Sequence, residues 1–500
     1  MKLSIRHLLL LSCLLAGWLY GPSVEAKSGK SVEAPKPCDV VPSARQLAWH
    51  DLGFYAFIHF TTTTYRDLEW GYGDASPDEF APDRLDCRQW MNILKAAGMK
   101  GVIFTAKHHD GFCLWPSRFT DYSVRSSSWM NGQGDVVGMA AREARKAGLK
   151  FGVYLSPWDR HDMRYGTPAY VAYYRDQLRE LLTQYGPIFE VWQDGANGGD
   201  GYYGGLREKR TIDSRTYYDW ATTDSMIRQL QPSACIFSDA GPDARWCGTE
   251  KGFVGEPNWA TLHRGNYAPG KAKTEGLQHG EKDGAYWVPA EVDVSIRPGW
   301  FYHQKEDTRV KTVDELMTIY YNSVGRGANL ILNVPPTRSG LIHPIDSQRL
   351  HDFGRALRKE FSRPLPRSLV KEVFASNERG GRASRFTARN VVDGKKLTYW
   401  ATDDSVSQAT LTLTLRSPQQ LHCIRLREPI ALGQRIDTFT VEGLTSAGRW
   451  VLLDSGSTIG PQRLLRMADE PVSQVRVTVG SSLACPLLSE VACFLPPKEG

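Results

Sequence analysis

Short apolar runs that stop on a polar, chemistry-bearing residue recur along the first two thirds of this 500-residue chain, and a stretch of helical apolar spacing separates each from the next. Residues 53–60 end on His59, residues 101–105 lead into Lys107-His108-His109-Asp110, and residues 149–155 carry Tyr154 into Ser156-Pro157-Trp158-Asp159. Residues 189–192 deliver Asp194, and residues 234–238 open a polar loop, 239–256, that holds Arg245. Further strands are read at 287–294 and 329–334. Helical spacing covers 88–97, 139–147, 169–185, 217–230, 313–323 and 346–361.

Repeated strand and helix units imply a parallel sheet, and seven or eight of them suit a closed (β/α)8-like barrel. An open doubly wound sheet gathers its functional loops at one switch point. Here His59, His108, Tyr154, Asp194 and Arg245 lie at or just beyond five successive strand ends, which is how a barrel converges on a site. No Gly-rich phosphate fingerprint follows a strand, which argues against a nucleotide ligand.

Asp194 is the first candidate for chemistry. It ends an apolar run and precedes Gly195-Ala196-Asn197-Gly198-Gly199, where residues without a Cβ let the backbone turn and a ligand approach. Three site types compete. His59, His108, His109 and Asp110 could ligate a metal, but adjacent histidines on a strand point to opposite faces. A serine hydrolase would need a nucleophile elbow, and no G-x-S-x-G is present. Two carboxylates in an aromatic-rich cleft suit glycosidic cleavage, with Glu69, Glu190, Glu250 and Glu256 available to partner Asp194.

The remainder of the chain bounds the context. Residues 362–372 read as a linker, and from 373 to 500 short alternating runs such as 409–415 predict an antiparallel sandwich. A net charge of +6 with no basic block argues against nucleic acid. Fifteen Trp and 21 Tyr offer flat, polar-tipped rings suited to sugar faces. Residues 1–26 read as a secretory signal, with ordinary cleavage preferred to a lipoprotein box at Cys13, and no later stretch is long enough to span a membrane. Export permits disulfides, Cys485 with Cys493 or Cys235 with Cys247 being the closest pairs in sequence, while Cys87 and Cys113 read as buried thiols.

Taken together, Phe57-Ile58-His59-Phe60, Glu69-Trp70, residues 104–112, residues 154–159 and Val191-Trp192-Gln193-Asp194-Gly195-Ala196 resemble the α-L-fucosidases of glycoside hydrolase family 29. Gln193 departs from the Phe common there, and 197–217 is longer than in compact relatives. The resemblance implies a retaining barrel enzyme (residues 27–361) without metal or cofactor, acting on fucosylated glycans. Asp194 would be the nucleophile, with His59, Glu69, Trp70, His108, His109, Tyr154, Arg245 and Trp300 binding substrate. Residues 238–250 and 293–300 resemble the branch that prefers α-1,3 and α-1,4 fucose, which places the acid/base at Glu250, with Glu256 second. Residues 374–377, 390–394 and 398–402 resemble a discoidin, or factor 5/8 C-type, carbohydrate-binding module. The rival reading is a glycan-binding protein on a catalytically inactive barrel.

Overall fold

Eight parallel strands close into a ring whose order follows the chain: β1 (Phe54–Ile58), β2 (Gly101–Lys107), β3 (Lys150–Leu155), β4 (Glu190–Trp192), β5 (Cys235–Ser238), β6 (Ala244–Trp246), β7 (Ala290–Ser295) and β8 (Asn329–Asn333). Closure is made by β8 on β1, with Leu330 opposite Phe54 and Ile331 opposite Tyr55. The computed structural model describes residues 32–271, 274–467 and 470–498. The leader read from residues 1–26, with Cys13, lies outside the described residues.

Local chemistry sets the outer helices. Asp86 accepts the Arg88 and Gln89 N–H groups to start Cys87–Ala96, and Asp135 caps Val136–Ala147 through the Gly138 N–H. The second of these helices ends on Gly148 at φ 78°, a left-handed residue that costs glycine little. Both helices turn Trp90, Leu94, Val137, Ala141 and Ala144 toward Val102 and Phe104 in one continuous core. Inside the ring Tyr55, Phe57, Ile103, Tyr154, Trp192, Phe237 and Ile331 form a second core.

Two acids lie in the barrel floor. Glu190 accepts from Trp49 Nε1 at 2.9 Å, while Glu291 accepts from Trp192 Nε1 at 2.7 Å and from the Tyr55 hydroxyl. Burial and the charge of Glu291 hold Glu190 well above the usual carboxylate range. Glu190 is thus a floor residue and no partner for Asp194.

The segment 239–256, expected to be a loop, contains the barrel strand β6. Only Asp239–Asp243 separates β5 from β6, with no helix between, and three residues are too few to display an alternating pattern. The strand expected at 287–294 is divided: Tyr286–Trp287 pairs antiparallel with Thr261–Leu262, and β7 begins at Ala290. Residues within 197–217 fold as a hairpin, Gly199–Gly201 with Glu208–Arg210.

From Val370 onward the chain is a β-sandwich. A five-stranded antiparallel sheet (Val370–Ala375, Ala409–Gln419, Val472–Ser482, Ile436–Thr445, Trp450–Ser457) faces a three-stranded one (Arg463–Arg466, Cys423–Arg427, Glu490–Phe494) over Leu411, Leu413, Ile424, Val441 and Val477. Its first strand starts at Val370, inside the stretch read as linker. All eight cysteines among the described residues are free, Cys87 and Cys113 being buried thiols.

The sandwich is built into the barrel's long β6–β7 connection. The Asn258 N–H donates to Thr458 Oγ1 at 3.0 Å, the Ala260 N–H donates to Gln434 Oε1 at 2.8 Å, and Gln434 Nε2 donates to Asn258 O at 3.0 Å. Glu256 pairs with Arg463 at 2.6 Å. Removing the sandwich exchanges these contacts for water at a net loss of roughly 0.5–1.5 kcal/mol each and opens the apolar surface packed beneath them. A chain ending near Pro366 is therefore expected to lose soluble yield and to melt roughly ten degrees lower, since each kcal/mol is worth about 2–4 °C at this size. Unchanged melting of the truncated chain in calorimetry would show that the interface contributes nothing.

Candidate active site

A cleft of about 240 Å³ opens at the C-terminal ends of the strands. Its walls include Phe57, His59, Trp70, His108, His109, Trp192, Asp194, Asp239, Trp246, Glu250, Asp293 and Trp300. A space of this size suits one small ligand, since pockets for drug-sized ligands run to roughly 300–1,000 Å³.

Asp194 lies two residues beyond β4 with both carboxylate oxygens engaged. Oδ2 accepts the Tyr154 hydroxyl at 2.8 Å and lies 3.9 Å from His109 Nε2, while Oδ1 accepts the Ala196 N–H at 2.7 Å. Tyr154 reaches it from β3, fully buried; it contacts the acid and is not among the residues that line the cleft.

The three histidines are uncharged at neutral pH. Burial brings His59 and His109 down to about 4 and His108 well below the usual imidazole range. The network assigns their tautomers. Asn333 spends Nδ2 on Ser295 Oγ and Trp300 O, so its Oδ1 accepts from His59 Nδ1 at 2.8 Å. Ser156 donates to Trp158 O, so its Oγ accepts from His109 Nδ1 at 2.7 Å. Each ring is left with Nε2 as an acceptor, which suits a ligand hydroxyl. His108 Nδ1 is buried without a hydrogen-bond partner among the described residues.

His108 and His109 sit past the end of β2, on irregular backbone, and both rings face the cleft with centroids 4.0 Å apart. The strand rule that would send them to opposite faces does not apply there. A stability consequence follows from the depressed values. Between about 6.5 and about 4 the unfolded chain binds protons that the folded imidazoles do not, so stability falls as pH is lowered through that window. His59→Gln should remove up to about 3 kcal/mol of the difference between pH 7 and pH 4. Urea unfolding at the two pH values measures it, and an unchanged difference would refute a neutral His59.

Glu250 reaches the cleft from the β6–β7 connection, where Trp300 Nε1 donates to its Oε2 at 3.2 Å. Desolvation raises its pKa, the Trp300 hydrogen bond opposes this, and the charges of Asp194 and Glu69 add to the rise. Glu256 faces away, paired with Arg463 and accepting the Ser457 N–H, so it is no alternative to Glu250.

Two other expected ligands act at a distance. Glu69 accepts the Trp300 N–H at 2.8 Å and lies 2.6 Å from His303 Nε2; it holds the Trp300 loop instead of lining the cleft. Arg245 is corrected outright. Its strand neighbours Ala244 and Trp246 pack on the inner barrel core, which turns Arg245 outward. There its guanidinium is fully buried, donating to Leu277 O at 2.8 Å, to Val288 O, and to Asn258 Oδ1 at 3.1 Å. Trp70, by contrast, is 54% exposed at the mouth, edge-on to His109 and Trp158, and Arg160 binds its carbonyl.

Sequence reading missed Asp239, Asp293 and Trp246 in this cleft. Asp239 follows β5 as Asp194 follows β4 and Asp293 lies in the C-terminal half of β7, so the strand-end rule applied to every strand would have found the first and pointed close to the second; Trp246 was hidden by the unread β6. Asp293 accepts from Trp246 Nε1 at 2.8 Å, and burial, then the Glu250 charge, push it well up. Asp239 accepts the Gly270 N–H at 2.7 Å and is pushed up to about 6 by desolvation.

Acceptor nitrogens, carboxylates and aromatic faces around one small space fit a polyhydroxyl ring. Comparison with known proteins agrees. Residues 41–360 match the family model described as alpha-L-fucosidase, and residues 390–479 match one described as NedA-like, galactose-binding domain. The chain is 43% identical to Alpha-L-fucosidase 1 of Arabidopsis thaliana over 95% of its length and 92% of that protein's. It superposes with a TM-score of 0.80 on a glycoside hydrolase 29 family member from an unknown rumen bacterium, at 43% identity over 93% of this chain and 79% of that one. It also superposes at 0.82 on a Ruminococcus gnavus GH29 fucosidase in complex with fucose, at 31% identity over 94% and 97%.

Proposed function

This chain belongs to the glycoside hydrolase 29 α-L-fucosidase family and is an α-L-fucosidase, and from that premise we propose that it is an exo-acting, retaining enzyme that removes terminal α-1,3- or α-1,4-linked L-fucose by double displacement. Asp194 attacks the anomeric carbon while Glu250 protonates the departing glycosidic oxygen. Glu250 then takes a proton from the water that releases fucose from the ester. His59 and His109 accept fucose hydroxyls through Nε2, and Trp70 and Trp300 supply apolar faces.

The observation that carries this reading is the unequal treatment of two acids on one cleft: Asp194 is fixed by two hydrogen-bond donors, one of them the fully buried Tyr154, whereas Glu250 stands on the solvent-open side of the cleft against the Trp300 indole N–H, its pKa raised by partial desolvation. Such a split is what separates nucleophile from acid/base. The linkage preference is supported by the way the two branch-like segments meet, Trp246 on Asp293 and Trp300 on Glu250. Export is part of the proposal and rests on residues 1–26.

Release of phenol from an aryl α-L-fucoside separates an enzyme from a glycan-binding protein. Proton NMR of the first-formed sugar then reads the stereochemistry, α-fucose for retention and β-fucose for inversion. A panel of α-1,2, α-1,3, α-1,4 and α-1,6 fucosyl oligosaccharides reads the linkage. Equal rates across that panel would reject the preference.

A further inference from the structure

A second cavity, of about 260 Å³, lies behind the wall of the cleft. The wall is the pair of segments that follow β4 and β5. Asp194, Gly195 and Asp239 face the cleft, whereas Gln193, Ser238 and Gly241 face the other way. No residue lines both spaces, so a ligand in the second would leave the first free.

The composition of the second cavity is that of a sugar site. Trp220, Tyr267 and Tyr286 contribute rings, the last 53% exposed with the Arg264 guanidinium 5.4 Å from its centroid. The polar groups are under-used. Gln193 Nε2 donates to Asp224 Oδ1 at 3.1 Å, and Asp224 Oδ2 has no hydrogen bond among the described residues. Burial pushes that carboxyl up to about 6, against the opposing influence of Gln193 and Arg264. Arg264 makes no side-chain hydrogen bond or ion pair among the described residues, and Trp220 Nε1 is shielded from water without a partner. Of these groups Trp220 Nε1 is the one shielded from water, which costs about 1–3 kcal/mol that a ligand hydroxyl would recover, while Asp224 and Arg264 keep hydrogen-bonding capacity open to a ligand.

We propose that this cavity is a second carbohydrate-binding site, taking a neutral pyranose residue through the Tyr286, Tyr267 and Trp220 rings, with Arg264 donating to and Asp224 accepting from its hydroxyls. The opposed charges select neutrality: an acidic sugar would meet Asp224 and an amino sugar Arg264. The ring faces take the C–H side of the sugar, leaving the hydroxyl edge to the charged pair. The choice of ligand class rests on the proposed activity toward glycans; the site itself does not.

The test is saturation-transfer NMR on the full chain with fucose-free neutral disaccharides, namely lactose, N-acetyllactosamine and mannobiose, in the presence of saturating L-fucose. At least one should give signals that persist with fucose present and whose titration yields a Kd raised about tenfold in Arg264→Ala/Tyr286→Ala, a loss of about 1.4 kcal/mol. Aryl-fucoside turnover of that variant should stay at the wild-type rate. Signals abolished by fucose would assign binding to the cleft and overturn the proposal, as would no signal from any of the three or signals indifferent to the double variant. A chain that failed to hydrolyse aryl fucosides yet gave the expected signals would reject the activity reading and leave this site standing.

Discussion

Asp194→Ala is expected to lower turnover of an aryl α-L-fucoside by at least ~10³-fold, because it removes the carboxylate proposed to form the covalent intermediate. The effect should fall on kcat. The sugar's hydroxyl partners, His59, His109 and the aromatic faces, remain, so fucose should still bind. Stability should change modestly, since the side chain keeps 22% exposure and the loss is two hydrogen bonds, from the Tyr154 hydroxyl and the Ala196 N–H, worth about 1 kcal/mol each. Steady-state kinetics with a melting curve and a fucose-binding isotherm measure all three quantities. Near wild-type rates would end the assignment; a melting point lowered by many degrees would instead mean that the acid helps to hold the barrel mouth together.

Glu250→Ala should split substrates by their leaving groups. A good aryl leaving group hardly needs protonation, so formation of the intermediate is nearly spared, whereas cleavage of a fucosylated oligosaccharide should fall by about 10²–10⁴-fold, the usual worth of a general acid. Breakdown of the intermediate now lacks its base and should become rate-limiting with the activated substrate. Azide attacks without needing deprotonation, so it should restore turnover and yield a fucosyl azide. A bell-shaped pH profile in the wild type should lose its alkaline limb in this variant, because that limb reports the proton whose pKa desolvation raises. Equal losses on both substrates with no azide effect would move the acid/base elsewhere, and Asp293, buried beside Glu250 and pushed well up, would be the next residue to replace.

The arrangement of barrel then sandwich was legible in the sequence because both rest on local periodicity. Runs ending on His59, Tyr154 or Asp194 announce a buried parallel strand, and the 409–415 alternation announces a half-buried antiparallel one. The chemistry at strand ends was legible for the same reason: a barrel aims every strand's C-terminal end at one place, so knowing where strands stop names the residues that gather there. What failed was whatever lacked a pattern. Ala244–Trp246 is too short to show its phase, and with that strand unread Arg245 was credited to the cleft and Trp246 was overlooked.

By itself, then, the sequence determined the kind of fold and the placing of His59, His108 and Asp194 at strand ends, because periodicity and strand ends are properties of contiguous residues; Trp70 was reached through the family resemblance, and His109 joins His108 in the cleft only because the backbone past β2 is irregular. Tertiary structure alone set Glu250 on the cleft and Glu256 against Arg463, assigned Glu69 to the Trp300 loop, sent Glu190 to the barrel floor and turned Arg245 toward backbone carbonyls. The reason is physical. Which carboxylate is desolvated beside a second charge, and which is neutralised by an arginine 207 residues away, depends on long loops and on a second domain whose placement no local spacing encodes.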